Sequence, residues 1–347
     1  MRIYFLFIIC LFIIPFDSLQ GQDDNCGILL LDARDLYDAG IVEEVPDLIK
    51  DCLMSGFSIE DLLEAYKLVI NSYLFDGYPE KADSVMQAFL QVFPNYETTA
   101  ADPAEFQQLM ETYQTDPYLS AGFMLGGNLS MPQLRESYGT SSPTLNKGSY
   151  PLSSLGFQVS GLLNVKLFHN AELGIELQFV RNQFSQKAQA YPFTGYVYNE
   201  QQNHVALPLS FAYMFSPNRV LKPYLRIGIK ADYLISATAN ATRSYGETGD
   251  AVYKDVSTPN TDVTALRNNF NGMVFAGGGL RFKLSKSFVF IDARYCYSIM
   301  GANKGDNRYA SPDLNWLIYY VDNDFQVNAF AFSLGYLRNF YNPKKKQ

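Results

Sequence analysis

From Val274 to Ser298 the chain reads VFAGGGLRFKLSKSFVFIDARYCYS, with apolar and polar residues alternating on both sides of a Ser/Lys turn. Val289, Ile291, Ala293, Tyr295 and Tyr297 share one register, while Phe290, Asp292, Arg294, Cys296 and Ser298 occupy the other. Before the turn, Arg281 and Lys283 fall between Leu280, Phe282 and Leu284. Successive side chains of a strand point to opposite faces, so this spacing lays a nearly continuous apolar surface along one face and charge along the other. A strand with lipid on one side and a polar interior on the other satisfies that pattern.

The same period of two recurs from Tyr118 onward. Eight strand-like segments can be placed, at roughly 119–130, 153–167, 171–185, 203–215, 222–238, 270–284, 288–299 and 325–340. Each is long enough for a tilted strand to cross the hydrocarbon layer, which takes about 9–11 residues. Short turns fall at 169–170, 216–220 and 285–287, and long polar loops at about 131–151, 187–202, 240–268 and 301–324. The expectation is an all-β transmembrane barrel of eight antiparallel, up-and-down strands. Lipid offers edge N–H and C=O groups no partner, so such a sheet has to close. The last strand brings Phe330, Phe332, Tyr336 and Phe340 to the expected lipid face.

An eight-stranded interior is just wide enough for side chains. The inward register supplies Lys166, Glu172, Glu176, Arg226, Lys230, Asp232, Arg281, Lys283, Asp292 and Arg294, six cations against four anions that can pair across the lumen. The plain reading is structural filling; a narrow conduit or relay is the alternative. A soluble lipocalin-type barrel would place its apolar register inside. Here the charged register is the sparser one, which favours lipid outside.

Charge divides the chain. Residues 23–117 hold 20 Asp/Glu against 4 Lys/Arg, net −16, and residues 118–347 hold 14 against 22, net +8. Such asymmetry marks two domains of different character. The basic part has no concentrated stripe beyond Lys344–Lys346, so nucleic acid is not expected as a partner. In the acidic part the period is 3.6: Leu62, Leu63, Tyr66, Val69, Ile70, Tyr73 and Leu74 form the apolar stripe of a packed helix. Ser58 is placed to cap it. Pro79 opens the next helix, which carries Ala82, Val85, Met86, Phe89 and Leu90 inward, and 103–113 reads as a closing helix. An offset of 37 residues superimposes 36–53 on 73–90 and brings Gly40 onto Gly77, the turn positions of two helical hairpins. The unit AYKLVINSYLFDGYPEKADSVMQAFLQVFP resembles a tetratricopeptide repeat at Ala65, Tyr73, Gly77, Ala82, Phe89 and Pro94. That resemblance implies a small protein-binding module, with a partnerless helical spacer as the alternative.

Arg2, the apolar run Ile3–Phe16 and the small or polar residues after it read as a secretory signal peptide, too short for a comfortable transmembrane helix. The expected organisation is therefore a signal peptide at 1–21, a periplasmic α-helical domain at 22–117 and the barrel at 118–347. A Cys26–Cys52 disulfide suits an oxidising compartment; a buried Cys52 with a free Cys26 is the alternative.

The barrel half resembles the PorT-type outer-membrane β-barrel proteins of Gram-negative bacteria. The likeness lies in YLSAGFMLGGNLS (118–130), LGFQVSGLLNVKL (155–167), HVALPLSFAYMF (204–215), KPYLRIGIKADYL (222–234) and FAGGGLRFKLSKSFVFIDARY (275–295). It implies an outer-membrane location with a periplasm-facing amino terminus, and some members act in protein secretion. The added helical domain departs from the bare-barrel pattern.

Chemistry has few candidates. His204 is expected near the outer end of its strand in the inward register, with Tyr198 and Glu200 close in sequence, and would be the base of an outer-leaflet lipid-modifying enzyme. A rim histidine without a catalytic role is the plainer reading, and His169 falls in a turn. P-loop, GxSxG, HExxH and Rossmann patterns are absent from the sequence. Asp250, Asp255 and Asp262, or Asp306, Asp313, Asp322 and Asp324, lack the spacing of an EF-hand. No catalytic, cofactor-binding or metal-binding residue is assigned. The expected partners are outer-membrane lipid and a periplasmic or outer-membrane protein; a small porin is a further alternative.

Overall fold

The computed structural model describes residues 24–115, 117–139, 148–151, 154–191, 193–216, 219–245, 254–284 and 287–346. The expected leader 1–21 and Asp250 lie outside the described residues. The chain divides into two compact units, residues 1–118 with 340–347, and residues 119–339.

The first unit begins with helices α1 (Asp24–Asp38), α2 (Val45–Met54), α3 (Ile59–Phe75), α4 (Pro79–Val92) and α5 (Ala104–Glu111). Ser58 caps α3, its hydroxyl accepting from the Asp61 N–H. Gly40 (φ 81°) and Gly77 (φ 74°) both close a helix in the left-handed region, where a side chain is strained. Cys26 of α1 is disulfide-bonded to Cys52 of α2. Two apolar clusters fill the unit, one around Ala33, Ile49, Ala65 and Val69, the other around Ile70, Met86, Phe89 and Phe106. The unit also recruits residues that follow the barrel. Strand β1 (Tyr113–Gln114) pairs with β12 (Lys344–Lys345), and the Gln87 side chain donates to the Pro343 carbonyl at 3.2 Å. Lys345 pairs with Asp83, so the basic tail lies on the acidic unit.

The second unit is a closed antiparallel sheet. Its long strands are β2 (Pro117–Glu136), β3 (Leu155–Phe168), β4 (Ala171–Tyr191), β5 (Thr194–Met214), β6 (Leu221–Tyr245), β9 (Phe270–Lys283), β10 (Ser287–Ser298) and β11 (Asp324–Tyr341). They run in the order β5-β4-β3-β2-β11-β10-β9-β6, and pairing of β5 with β6 closes the ring. Two further strands, β7 (Val256–Ser257) and β8 (Thr261–Asp262), pair onto the far half of β6. Among the described residues the sheet thus has ten strands and the chain twelve, where the sequence reading expected eight. Two-residue strands inside a polar loop have no periodicity to detect.

Outside, the apolar register is exposed: Leu173, Ile175 and Leu177 on β4, Val205 to Phe211 on β5, Leu225, Ile227 and Ile229 on β6, and Ile291 and Tyr295 on β10. The alternate positions Glu172, Glu176, Arg226, Asp292 and Arg294 are buried inside. Strands β4, β5 and β6 have 21, 21 and 25 residues, about twice what a crossing requires. Their surplus extends the barrel at its long-loop end. The loop expected at 187–202 is therefore a continued hairpin, paired up to Tyr191 and Thr194. In this extension the sides reverse. Tyr196 and Tyr198 are buried inside while Asn199, Gln201 and Asn203 face outward, because water has replaced the apolar surroundings. A register shift pairs Asn203 with Ser236 but His204 with Leu234, and the inward positions of β6 change from Asp232 and Leu234 to Ala237 and Ala239. Such a bulge inserts one residue and re-aims everything beyond it.

Candidate functional site

Eight of the ten expected lumenal charges fall into three groups. Glu176 is held by two arginines: Arg226 Nη1 donates to Oε1 at 2.7 Å, and Arg294 reaches both oxygens at 2.8 and 2.9 Å. Arg294 also pairs with Asp292, whose other oxygen accepts from the Tyr224 hydroxyl at 2.5 Å. Nearer the short turns, Arg281 pairs with Glu172 at 2.7 Å and stacks over the Tyr224 ring. Lys230 and Asp232 pair at 3.3 Å. Lys283 is half-buried at the turn end of β9, and Lys166 is half-buried near the end of β3. Two cavities in this lumen, about 10 and 20 Å³, share Asn182 and Met273 in their walls and are water-sized.

His204 is buried in the inward register and its Nε2 lies 3.1 Å from Gln202 Oε1. Gln202 in turn donates to Glu200 at 2.7 Å. His169 is exposed near the β3–β4 turn.

A second polar cluster, at the long-loop end, was not foreseen. Arg267, which follows a short 3-10 turn (Thr264–Leu266), is fully buried between two carboxylates. It donates to Glu200 from Nε and Nη2 at 2.7 and 2.6 Å, and to Asp322 from Nη1 and Nη2 at 2.6 and 3.1 Å. Tyr320 donates to Asp322 at 2.8 Å, and its ring stacks on Tyr198 with centroids 4.1 Å apart. Burial opposes the Arg267 charge, but Asp322 and Glu200 more than offset it and hold its pKa well above the ordinary value. The surrounding core joins Phe184, Tyr196 and Leu234 from the long strands with Val263, Leu266, Leu314 and Ile318 from the connecting segments. The one available sequence signal was Arg267 directly after the short run Val263–Leu266, too brief to stand out in a polar loop.

Asp322 and Asp324 are occupied by Arg267 and Arg308, at 2.6 and 2.7 Å. Among the described residues no group of three or more His, Cys, Asp or Glu is placed to hold a metal ion.

The model of the family described as "Outer membrane protein beta-barrel domain" matches residues 107–302, more than half of the chain. No curated protein matches the sequence. Among solved structures, the chain is similar to outer membrane protein OprG from Pseudomonas aeruginosa, with 9% identity, 65% of this chain and 97% of that one covered, and a TM-score of 0.39. It is similar also to the outer membrane protease OmpT from Escherichia coli (8% identity, 65% and 98% covered, TM-score 0.35). Neisserial surface protein A is a third (13% identity, 65% and 99% covered, TM-score 0.29).

Proposed function

We propose, for a chain that belongs to the outer membrane protein beta-barrel domain family and so resides in the outer membrane of a Gram-negative bacterium, the role of a membrane anchor whose helical unit docks a partner protein. On this reading the eight long strands of the ring cross the membrane, the long-loop end faces outward, and the helical unit lies in the periplasm, as PorT-type kinship would have it.

The observation that carries the reading is the packed lumen. Glu176 is clamped by Arg226 and Arg294 and Glu172 by Arg281, and two water-sized cavities lie in the lumen beside Asn182 and Met273. Such an interior suits a fixed anchor better than solute passage. Specificity then belongs to the parts outside the membrane. The helical unit leaves Met54 and Phe75 85% and 77% exposed, with Ile28, Leu31 and Ile59 also on the surface. Apolar residues presented by a strongly acidic unit fit a partner with an apolar patch rimmed by basic residues. The tetratricopeptide-like arrangement, with Gly40 and Gly77 at equivalent turns, belongs to the same reading.

The test is in-cell photocrosslinking from position 75, with purified barrel examined in planar bilayers. A specific captured protein and a silent bilayer are expected. Steady single-channel conductance would favour a small porin, and failure to capture any specific protein would count against docking. Altered lipid A after His204→Ala would favour the enzyme reading.

A further inference from the structure

Six arginines are buried among the described residues: Arg226, Arg243, Arg267, Arg281, Arg294 and Arg308. Five of them reach a carboxylate. Arg243 does not. It is 7% exposed, and its Nε and Nη1 have no hydrogen-bond partner among the described residues. A guanidinium cannot shed its proton in a protein, so burial without a counter-charge disfavours the free state.

What surrounds Arg243 is aromatic. Its Cζ lies 4.9 Å from the ring centroid of Tyr245 and 4.5 Å from that of Tyr319. The two rings come from different elements: Tyr245 ends β6, and Tyr319 closes the π-helical turn Asp313–Ile318. Tyr319 has a φ of 60° and is the one non-glycine residue with positive φ among the described residues. A bulky residue in that region is strained, and single π-turns and strained residues both gather at functional sites. Tyr191 stands edge-on to Tyr319 at 5.4 Å and stacks on Phe193 at 5.7 Å. Phe193 is exposed and the three tyrosines are half-buried, so the cation lies one layer beneath an aromatic rim.

Ring faces attract a cation but accept none of the strong hydrogen bonds its N–H groups can donate. An oxyanion accepts them, in the planar geometry a guanidinium presents. The rim is aromatic where a polyanion site would be basic, which fits a single anionic group on a ring with a C–H face. We propose that Arg243, with Tyr191, Tyr245 and Tyr319, forms a site for the carboxylate or phosphate of an acidic sugar at the long-loop end of the barrel. That this end meets the cell exterior rests on the anchor reading above; the binding does not.

Full-length protein in detergent micelles is titrated with glucuronate, glucose 6-phosphate and uncharged glucose, followed by saturation-transfer NMR. Saturable binding of at least one of the two acids is expected, weaker in high salt and at least tenfold weaker in Arg243→Gln, with that variant keeping its heat-modifiable migration. Binding of glucuronate alone assigns a carboxylate ligand, and of glucose 6-phosphate alone a phosphate ligand. Binding of neither acid, equal binding of glucose, or unchanged binding in Arg243→Gln overturns the site. If Arg243→Gln does not fold, Arg243→Lys, which keeps the charge and loses the fork, is held to the same tenfold criterion. Separately, a cysteine at position 193 is treated with an impermeant maleimide on intact cells. Absence of labelling there overturns the outward orientation while leaving the micelle result untouched.

Discussion

Arg294 grips Glu176 through two parallel hydrogen bonds, Nη1 to Oε2 at 2.8 Å and Nη2 to Oε1 at 2.9 Å, although 118 residues separate them. Arg226 approaches the same carboxylate from β6 at 2.7 Å. One side chain of β4 thereby ties β6 and β10 together across the lumen.

Removing that carboxylate should cost far more than removing the whole group. Glu176→Gln leaves two buried guanidinium groups facing a neutral amide, and a loss of about 3–5 kcal/mol is expected for breaking a buried pair. The triple change Glu176→Leu, Arg226→Met, Arg294→Met should recover most of it. Urea unfolding in lipid vesicles, read by gel migration, measures both; equal stability of Glu176→Gln and the parent would refute the arrangement.

Arg267→Met should loosen the long-loop end alone. Glu200 and Asp322 lose their shared partner, a local penalty again of about 3–5 kcal/mol. Hydrogen exchange should rise in 256–268 and 314–323 while the amides of β3 and β10 stay protected. Uniform exchange across the barrel would contradict this.

The helical unit should be sensitive to reduction. Cys26 and Cys52 close a loop of 26 residues, which by chain entropy stabilises by about 3 kcal/mol. Cys52→Ala is expected to lower the midpoint of helix melting by circular dichroism and to leave the heat-modifiable migration of the barrel unchanged.

Acid should act on the same unit through Asp102. Burial raises the pKa of this carboxyl, but the Lys67 ammonium, the Thr99 N–H and the Tyr96 hydroxyl more than offset it and leave it at about 2. A depressed carboxylate stabilises above its unfolded pKa, near 3.8, and loses that contribution as pH falls towards 2. The contribution at neutral pH is on the order of 1–2 kcal/mol. Asp102→Asn should remove this part of the acid sensitivity; a variant whose pH profile of helix melting matches the parent would exclude the mechanism.

Gly77→Ala isolates the left-handed turn. A Cβ there meets nothing within 4 Å, so the backbone alone resists, by roughly 1 kcal/mol. Gly77→Asn should cost less, since asparagine tolerates this region. Equal melting of Ala and Asn variants would argue that the turn relaxes.

Where lipid and lumen impose opposite demands on the two faces, the sequence is easy to read. Ile291, Asp292, Ala293 and Arg294 announce strand and facing together. Beyond the apolar belt that contrast fades, because water surrounds the barrel and both faces carry polar residues. Tyr196, Tyr198, Glu200 and Gln202 still alternate, but against Val197, Asn199 and Gln201, and the stretch resembles a loop. The bulge near Ile235 then exchanges the facing of β6, which single-strand alternation does not register. Arg267 and Arg243 owe their surroundings to chain segments far away in sequence, such as Asp322 and Tyr319, and no local spacing signals that. Helices of the first unit were legible from their stripes; that Cys26 meets Cys52 depended on how α1 and α2 pack.

Residues 344–346 are synthesised after every strand of the barrel, yet they complete a sheet with Tyr113–Gln114, which precede the first long strand. The helical unit therefore acquires its final strand last. Trimming Lys344–Lys346 would leave the long strands whole and remove the partner of Tyr113–Gln114, more than two hundred residues earlier in the chain.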